Sequence, residues 1–185
     1  DPQGAASFCF RVKPKIKGGG GRLLKRRELD RHIKGTDFPN LDLLPADFSY
    51  RHLDIALSEY KKPMRRFRKL LGEASPDYDY VFLDCAPSIS LVSESVFSAT
   101  DVLLVPTMPT TLSLQTLHQI VRFLRKHELG EIKLLPFYSM VDLRKALHRT
   151  TVSSSTECRM MATHIPFTVD VERMGERRAP LTSYS

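Results

Sequence analysis

Two short apolar runs constrain this chain more than any other feature. Tyr80-Val-Phe-Leu83 and Val102-Leu-Leu-Val-Pro106 lack the alternation of a half-solvated strand and are too short for buried helices. Both predict strands covered on two faces, and the stretch 89–99 between them suits a helix. Ile132 to Tyr138 reads as a third core strand and Ala162-Thr-His-Ile165 as a short fourth, with Leu117, Ile120, Val121 and Leu124 marking an amphipathic helix over 113–127. Strands alternating with helices at this spacing predict an α/β fold, a doubly wound, mainly parallel sheet with helices on both faces.

Upstream, Leu53, Leu57, Tyr60, Met64, Phe67 and Leu71 recur at helical spacing, with Pro63 inside the pattern. Proline removes a helix donor and clashes with the preceding turn, so two helices or a kink are expected, the second ending near Gly72. Asn40-Leu-Asp-Leu-Leu-Pro45 reads as a strand stopped by proline, and residues 8–12 as an extended piece or a helix start. Lys13 to Gly21 reads as a flexible charged loop and Leu23 to Ile33 as a short basic helix.

The 185 residues, 42% hydrophobic and 26% charged, suffice for one domain with its own core. No apolar run approaches the ~20 residues that span a bilayer, so no membrane association is expected. Asp-Pro-Gln-Gly followed by basic residues gives the expectation of no secretory leader. The missing initiator Met gives the expectation that the chain is cut from something longer. Cys9, Cys85 and Cys158 show no metal-ligand spacing, which suits reduced thiols in the cytoplasm. The net charge of +7 is concentrated: residues 11–34 hold ten Lys/Arg against Glu28 and Asp30, while the remainder is nearly neutral.

In open α/β sheets ligands bind beyond the carboxyl ends of the strands, where Asp84 stands. A carboxylate there can hold a Mg²⁺ that bridges phosphates; it can equally cap the following helix. The surrounding residues narrow the choice. Asp79-Tyr-Val-Phe-Leu-Asp84-Cys-Ala-Pro-Ser-Ile-Ser-Leu91, followed by Asp101-Val-Leu-Leu-Val-Pro106, resembles the ParA/MinD/Soj family of deviant Walker P-loop ATPases. Asp1-Pro2-Gln3-Gly4-Ala5-Ala6-Ser7 resembles that family's switch I segment, and Asn40 to Ala46, Ser139 to Arg144 and Ile165-Pro166 follow in the family's order.

The resemblance implies ATP and Mg²⁺ as cofactors, with Asp84 as the Walker B carboxylate near Mg²⁺ and Asp1 positioning the attacking water. Pro2, Gln3, Gly4, Pro87 and Ser88 would surround the phosphates, and Asp142 and Pro166 the base. It also implies a bacterial ATPase of chromosome or plasmid partitioning, cytoplasmic and nucleoid-associated. Such a protein dimerises on ATP, binds DNA non-specifically and is stimulated by a ParB-like partner.

The family's phosphate loop, KGGxGK[ST], does not occur in residues 1–185. Lys17-Gly-Gly-Gly-Gly21-Arg22-Leu23 does not replace it, because Arg22 and Leu23 stand where Lys and Ser/Thr are needed. The expectation is a single domain, 1–185, truncated at its N-terminal strand and C-terminal helix and impaired in ATP binding by itself.

The basic residues offer phosphate contacts to DNA: Arg22, Lys25, Arg26, Arg27 and Arg31, then Lys62, Arg65, Arg66 and Lys69, then Arg144, Lys145 and Arg149. A solvated helix face explains the same pattern. The alternative to an ATPase is therefore a nucleotide-independent DNA- or protein-binding module on the same fold.

Overall fold

The computed structural model describes residues 2–86, 89–129, 131–154 and 158–184. The chain forms two compact units, residues 1–99 with 172–185, and residues 100–171.

The first unit is largely helical. Its elements are α1 (Ala5–Cys9), α2 (Gly19–Arg26), the antiparallel pair β1 (Lys34–Gly35) and β2 (Asp42–Leu43), α3 (Leu53–Ser58), α4 (Pro63–Ala74) and α5 (Leu91–Phe97). Short 3-10 turns at Phe48–His52 and Ser75–Asp77 adjoin α3 and α4. Pro63 opens α4, so the periodic stretch is two helices, the second running to Ala74, just past Gly72. At N1 a proline's missing donor costs nothing and its fixed φ suits the first turn. Ile16, Leu23, Leu24, Leu29, Leu57, Phe67, Leu70 and Val96 form the core. Met64, 36% exposed, stays at the surface although it shares the periodicity.

Gly4 starts α1 at φ +74, and a Cβ there would lie 3.2 Å from that of Ala46. Ser7, buried, accepts a hydrogen bond at 2.9 Å from the Ala46 N–H, so α1 is fastened to the chain leaving β2.

The glycine run departs from the expected loop: Gly19, Gly20 and Gly21 form the first turn of α2, and the basic helix ends at Arg26 rather than near Ile33. Packing explains this. The Gly20 N–H donates to Ser49 Oγ at 2.8 Å, and a Cβ on Gly20 would come within 2.8 Å of both Leu53 Cδ2 and Tyr50 Cδ1. Asp47 supports the same corner, accepting from Ile16 N at 2.8 Å and Ser49 N at 2.9 Å. Burial pushes its carboxyl up, but these bonds and nearby Lys15 outweigh that and hold it below the usual range. Gly20→Ala gains helix propensity of about 0.5–1 kcal/mol but overpacks a site fixed by the Tyr50 hydroxyl donating to Pro45 O. The expected net loss is about 1–3 kcal/mol, read as a lower urea midpoint at unchanged m-value; a rise in the midpoint would refute the packing explanation.

Residues 80–83 do not form the expected buried strand. The backbone there belongs to no ladder, and Tyr80 and Phe82 are 82% and 78% exposed. An apolar run becomes a core strand only where a neighbouring strand supplies its hydrogen bonds; none does so among the described residues. Leu83 alone packs against the core.

The second unit has the β-α-β order expected of a parallel pair. β3 (Val102–Thr107) pairs with β4 (Lys133–Tyr138) from Val102↔Lys133 to Thr107↔Tyr138, connected by α6 (Thr111–Lys126). Thr110 caps α6, and Leu117 and Leu124 are buried. Val102 and Leu104 stay more than 40% exposed, so β3 is covered less completely than its all-apolar sequence predicts. The fourth strand reduces to an isolated parallel bridge, Val141↔Pro166, with Ile165 N donating to Tyr138 O at 2.9 Å. α7 (Ala146–Ser153) follows β4, and the chain returns to the first unit within α8 (Val169–Arg177). No described helix is long and apolar enough to cross a membrane.

Candidate functional site

Asp84 follows Leu83, the residue of its segment held against the core of the first unit. Its carboxylate is exposed. The capping alternative has another occupant: α5 receives its cap from Asp54, whose Oδ1 accepts from Val92 N at 2.9 Å, and from Ser93, whose Oγ accepts from Ser90 N at 2.6 Å. Among the described residues no three His, Cys, Asp or Glu gather to hold a metal. An exposed carboxylate at this place fits Mg²⁺, which keeps most of its waters and takes one or two carboxylates together with substrate phosphates.

Pro2, Gln3 and Gly4 precede α1, Gly4 being buried at its start. Asp1, Pro87 and Ser88 lie outside the described residues.

In the second unit the structure brings Asp142 and Pro166 together, because Val141, directly before Asp142, bridges Pro166 and accepts from Phe167 N at 2.9 Å. The Asp142 carboxylate takes a bidentate grip from Arg144, Nε to Oδ1 at 2.9 Å and Nη2 to Oδ2 at 3.0 Å, while its backbone N–H donates to Nδ1 of buried His148 at 3.1 Å. The Arg144 side chain, then its backbone N–H and charge, hold the Asp142 carboxyl down to about 2. Replacing Arg144 with Ala should return it towards the ordinary ~3.9, measured by carboxyl NMR titration; a value still near 2 would give the role to the backbone. The sign follows: a depressed carboxyl adds stability above its unfolded pKa and loses it as the pH falls from about 4 towards 2. Arg149 is likewise committed, donating from Nη1 to Leu143 O at 2.8 Å and Arg144 O at 3.1 Å. Lys145 is exposed beside them.

The two basic stretches of the first unit meet. Arg66, on α4, donates to Leu24 O at 2.8 and 2.6 Å and to Lys25 O at 2.6 Å, and its guanidinium lies 5.0 Å from the Tyr60 ring centre. These carbonyls belong to the last turn of α2, which lacks intrahelical donors. Arg66 is thus a tertiary C-cap, and it sets Lys25 and Arg26 next to α4, where Arg65 and Lys69 are exposed, as is Lys62 just before the helix. Arg22 is also exposed, Arg31 pairs with Glu28 at 3.2 Å, and Arg27 turns the chain out of α2 at φ +55. Sequence periodicity could not separate the capping arginine from its neighbours, since the distinction lies in the carbonyls it meets. Asp47 and Arg178, both structural anchors, carried no sequence signal.

The family model described as AAA domain matches residues 1–133. The chain is 30% identical over 138 residues to the chromosome partitioning protein ParA of Caulobacter vibrioides, covering 68% of this chain and 49% of that one. The chain belongs to the ParA/MinD/Soj family. The sporulation initiation inhibitor protein Soj of Bacillus subtilis is 31% identical over 98 residues, covering 51% of this chain and 39% of Soj. This ParA/MinD/Soj chain thus spans at most about half the length of these two relatives. A crystal structure of a putative plasmid partition protein from Borrelia burgdorferi, bound to AMPPNP, superposes with a TM-score of 0.79 at 20% identity, covering all of this chain and 80% of that one. At that identity the likeness shows the fold alone, the α/β fold of the P-loop ParA/MinD-like ATPases.

Proposed function

We propose that this chain carries the metal-side and DNA-facing parts of a partitioning ATPase, in which Mg²⁺ and ATP drive dimerisation on DNA and a ParB-like partner stimulates hydrolysis. The observation that carries the reading is Asp84, exposed behind a core-anchored Leu83, in a chain of the ParA/MinD/Soj family. Mg²⁺ held there would supply charge neutralisation to the transferring phosphates. Asp84 would hold the metal, directly or through water; Asp1 would orient the attacking water, and Pro2, Gln3, Gly4, Pro87 and Ser88 would serve the phosphates. Asp142 and Pro166 form the base-side loop, with the Asp142 carboxylate held in place by Arg144. The Borrelia protein, solved with an ATP analogue, supports the nucleotide part of the reading. The protein acts in the cytoplasm, at the nucleoid.

The test expresses the chain with the coding sequence upstream of Asp1 and measures Mg²⁺-dependent ATP hydrolysis with and without DNA. An upstream frame without a phosphate loop, or no hydrolysis with one, would defeat the enzymatic reading.

The joined basic stretches favour a second reading, DNA binding without nucleotide. The combined change of Lys25, Arg65 and Lys69 to Ala should lower the slope of log affinity against log salt by about one for each phosphate no longer neutralised. Arg66→Ala instead frees the last carbonyls of α2 and should lower stability by about 1–3 kcal/mol. Binding that is insensitive to salt in the unchanged chain would remove the DNA interface.

A further inference from the structure

A second site in the first unit involves neither Asp84 nor the basic face of α2 and α4. Arg11 and Arg178 cross-cap each other's segments. Arg11 donates from Nε to Arg178 O at 2.9 Å and from Nη2 to Arg177 O at 3.4 Å, at the end of α8. Arg178 donates from Nε to Phe8 O at 3.0 Å, in α1, and its guanidinium lies 4.7 Å from the centre of the Phe8 ring. Both arginines hold left-handed backbone, φ +60 and φ +50, a conformation that costs a side-chain-bearing residue energy and persists only where the surroundings impose it.

The clasp borders a crevice of about 410 Å³ lined by Phe8, Arg11, Val12, Lys13, Pro14 and Arg178. That volume lies within the range of small-molecule sites. Three cations line it and no carboxylate does; Asp37, outside the lining, offsets part of the Arg11 charge at 3.4 Å. Arg178 spends its Nε on Phe8, and its terminal amino groups, the fork that matches phosphate oxygens, make no hydrogen bond among the described residues. The Lys13 ammonium has no hydrogen-bond or ion-pair partner among the described residues. Phe8, 53% exposed, and the flanking Val12 and Pro14 supply an apolar wall.

We propose that this crevice binds a phosphate monoester carried on a flat apolar body, of the nucleoside monophosphate class. Excess positive charge selects the phosphate, and the half-exposed aromatic ring selects a flat body, because every base has a π-face to stack. The site is independent of any hydrolysis at Asp84.

Calorimetric titration of the 185-residue chain at low salt, with AMP, inorganic phosphate and adenosine as separate probes, tests it. AMP is expected to bind at least tenfold more tightly than either fragment, following the ~1.4 kcal/mol per decade of affinity. Lys13→Gln, which breaks no hydrogen bond or ion pair among the described residues, should weaken AMP about tenfold. Phe8→Leu should bring AMP down to the level of inorganic phosphate. Lys133→Gln, on β4, should leave AMP binding unchanged. A 5′-phosphorylated single-stranded oligonucleotide that displaces AMP assigns the site to nucleic-acid ends, and failure to displace it assigns the site to free nucleotide. AMP binding no tighter than inorganic phosphate, or unaffected by Lys13→Gln, would overturn the proposal.

Discussion

Replacing Leu57 with Ala lowers the unfolding free energy by about 2–5 kcal/mol, a large share of the ~5–15 kcal/mol that holds a domain folded. Leu57 is fully buried on α3, at the core shared by Leu23 and Leu24 of α2, Phe67 and Leu70 of α4, and Val96 of α5. Three other helices, α2, α4 and α5, pack against α3 and share this core, so none can fill the space without leaving another. The lost transfer energy therefore adds to an unrelaxed cavity. Urea unfolding followed by circular dichroism checks this through a reduced midpoint at unchanged slope. A loss under ~1 kcal/mol would mean the helices collapse onto one another, contrary to a close-packed core.

Asp84→Asn removes Mg²⁺-dependent ATP hydrolysis, by on the order of a hundredfold or more, in the chain expressed with its upstream coding sequence. The substitution keeps the shape but removes the charge that attracts the metal and exchanges one acceptor oxygen for an amide donor. Asp84 is exposed and the core packing is made by Leu83, so the unfolding midpoint should stay within about 0.5 kcal/mol of wild type. Hydrolysis that survives would remove Asp84 from the metal site; lost hydrolysis together with lost stability would recast it as structural.

Elements that depend on local pattern were legible in the sequence. α6, the break at Pro63, β3 and β4 follow from spacing and one proline, and the family follows from motifs in order. What depends on distant partners was not legible. The glycine run enters α2 because Ser49, Tyr50 and Leu53 approach it, and no pattern within 17–23 reveals their approach. Residues 80–83 satisfy every local rule for a core strand, yet strand formation requires a neighbour's backbone. Arg66 and Arg65 are equivalent to a charge count, and only the carbonyls of Leu24 and Lys25 distinguish a cap from a solvated cation. The bridge from Val141 to Pro166 and the tie of Asp142 to Arg144 join residues that no local pattern links, and both appear only in the folded chain.

The exposed Tyr80-Val-Phe segment also affects how the protein behaves at high concentration. Uncharged segments of six or seven residues with high β-propensity nucleate intermolecular cross-β association, and this run stops short of that length. Here Asp79 and Asp84 bracket it as acidic gatekeepers, repelling the same segment of another molecule. Neutralising Asp84 thus touches colloidal behaviour as well as chemistry. Asp79→Asn, which removes the other gatekeeper and leaves Asp84 intact, is the control that separates lost turnover from lost monomer.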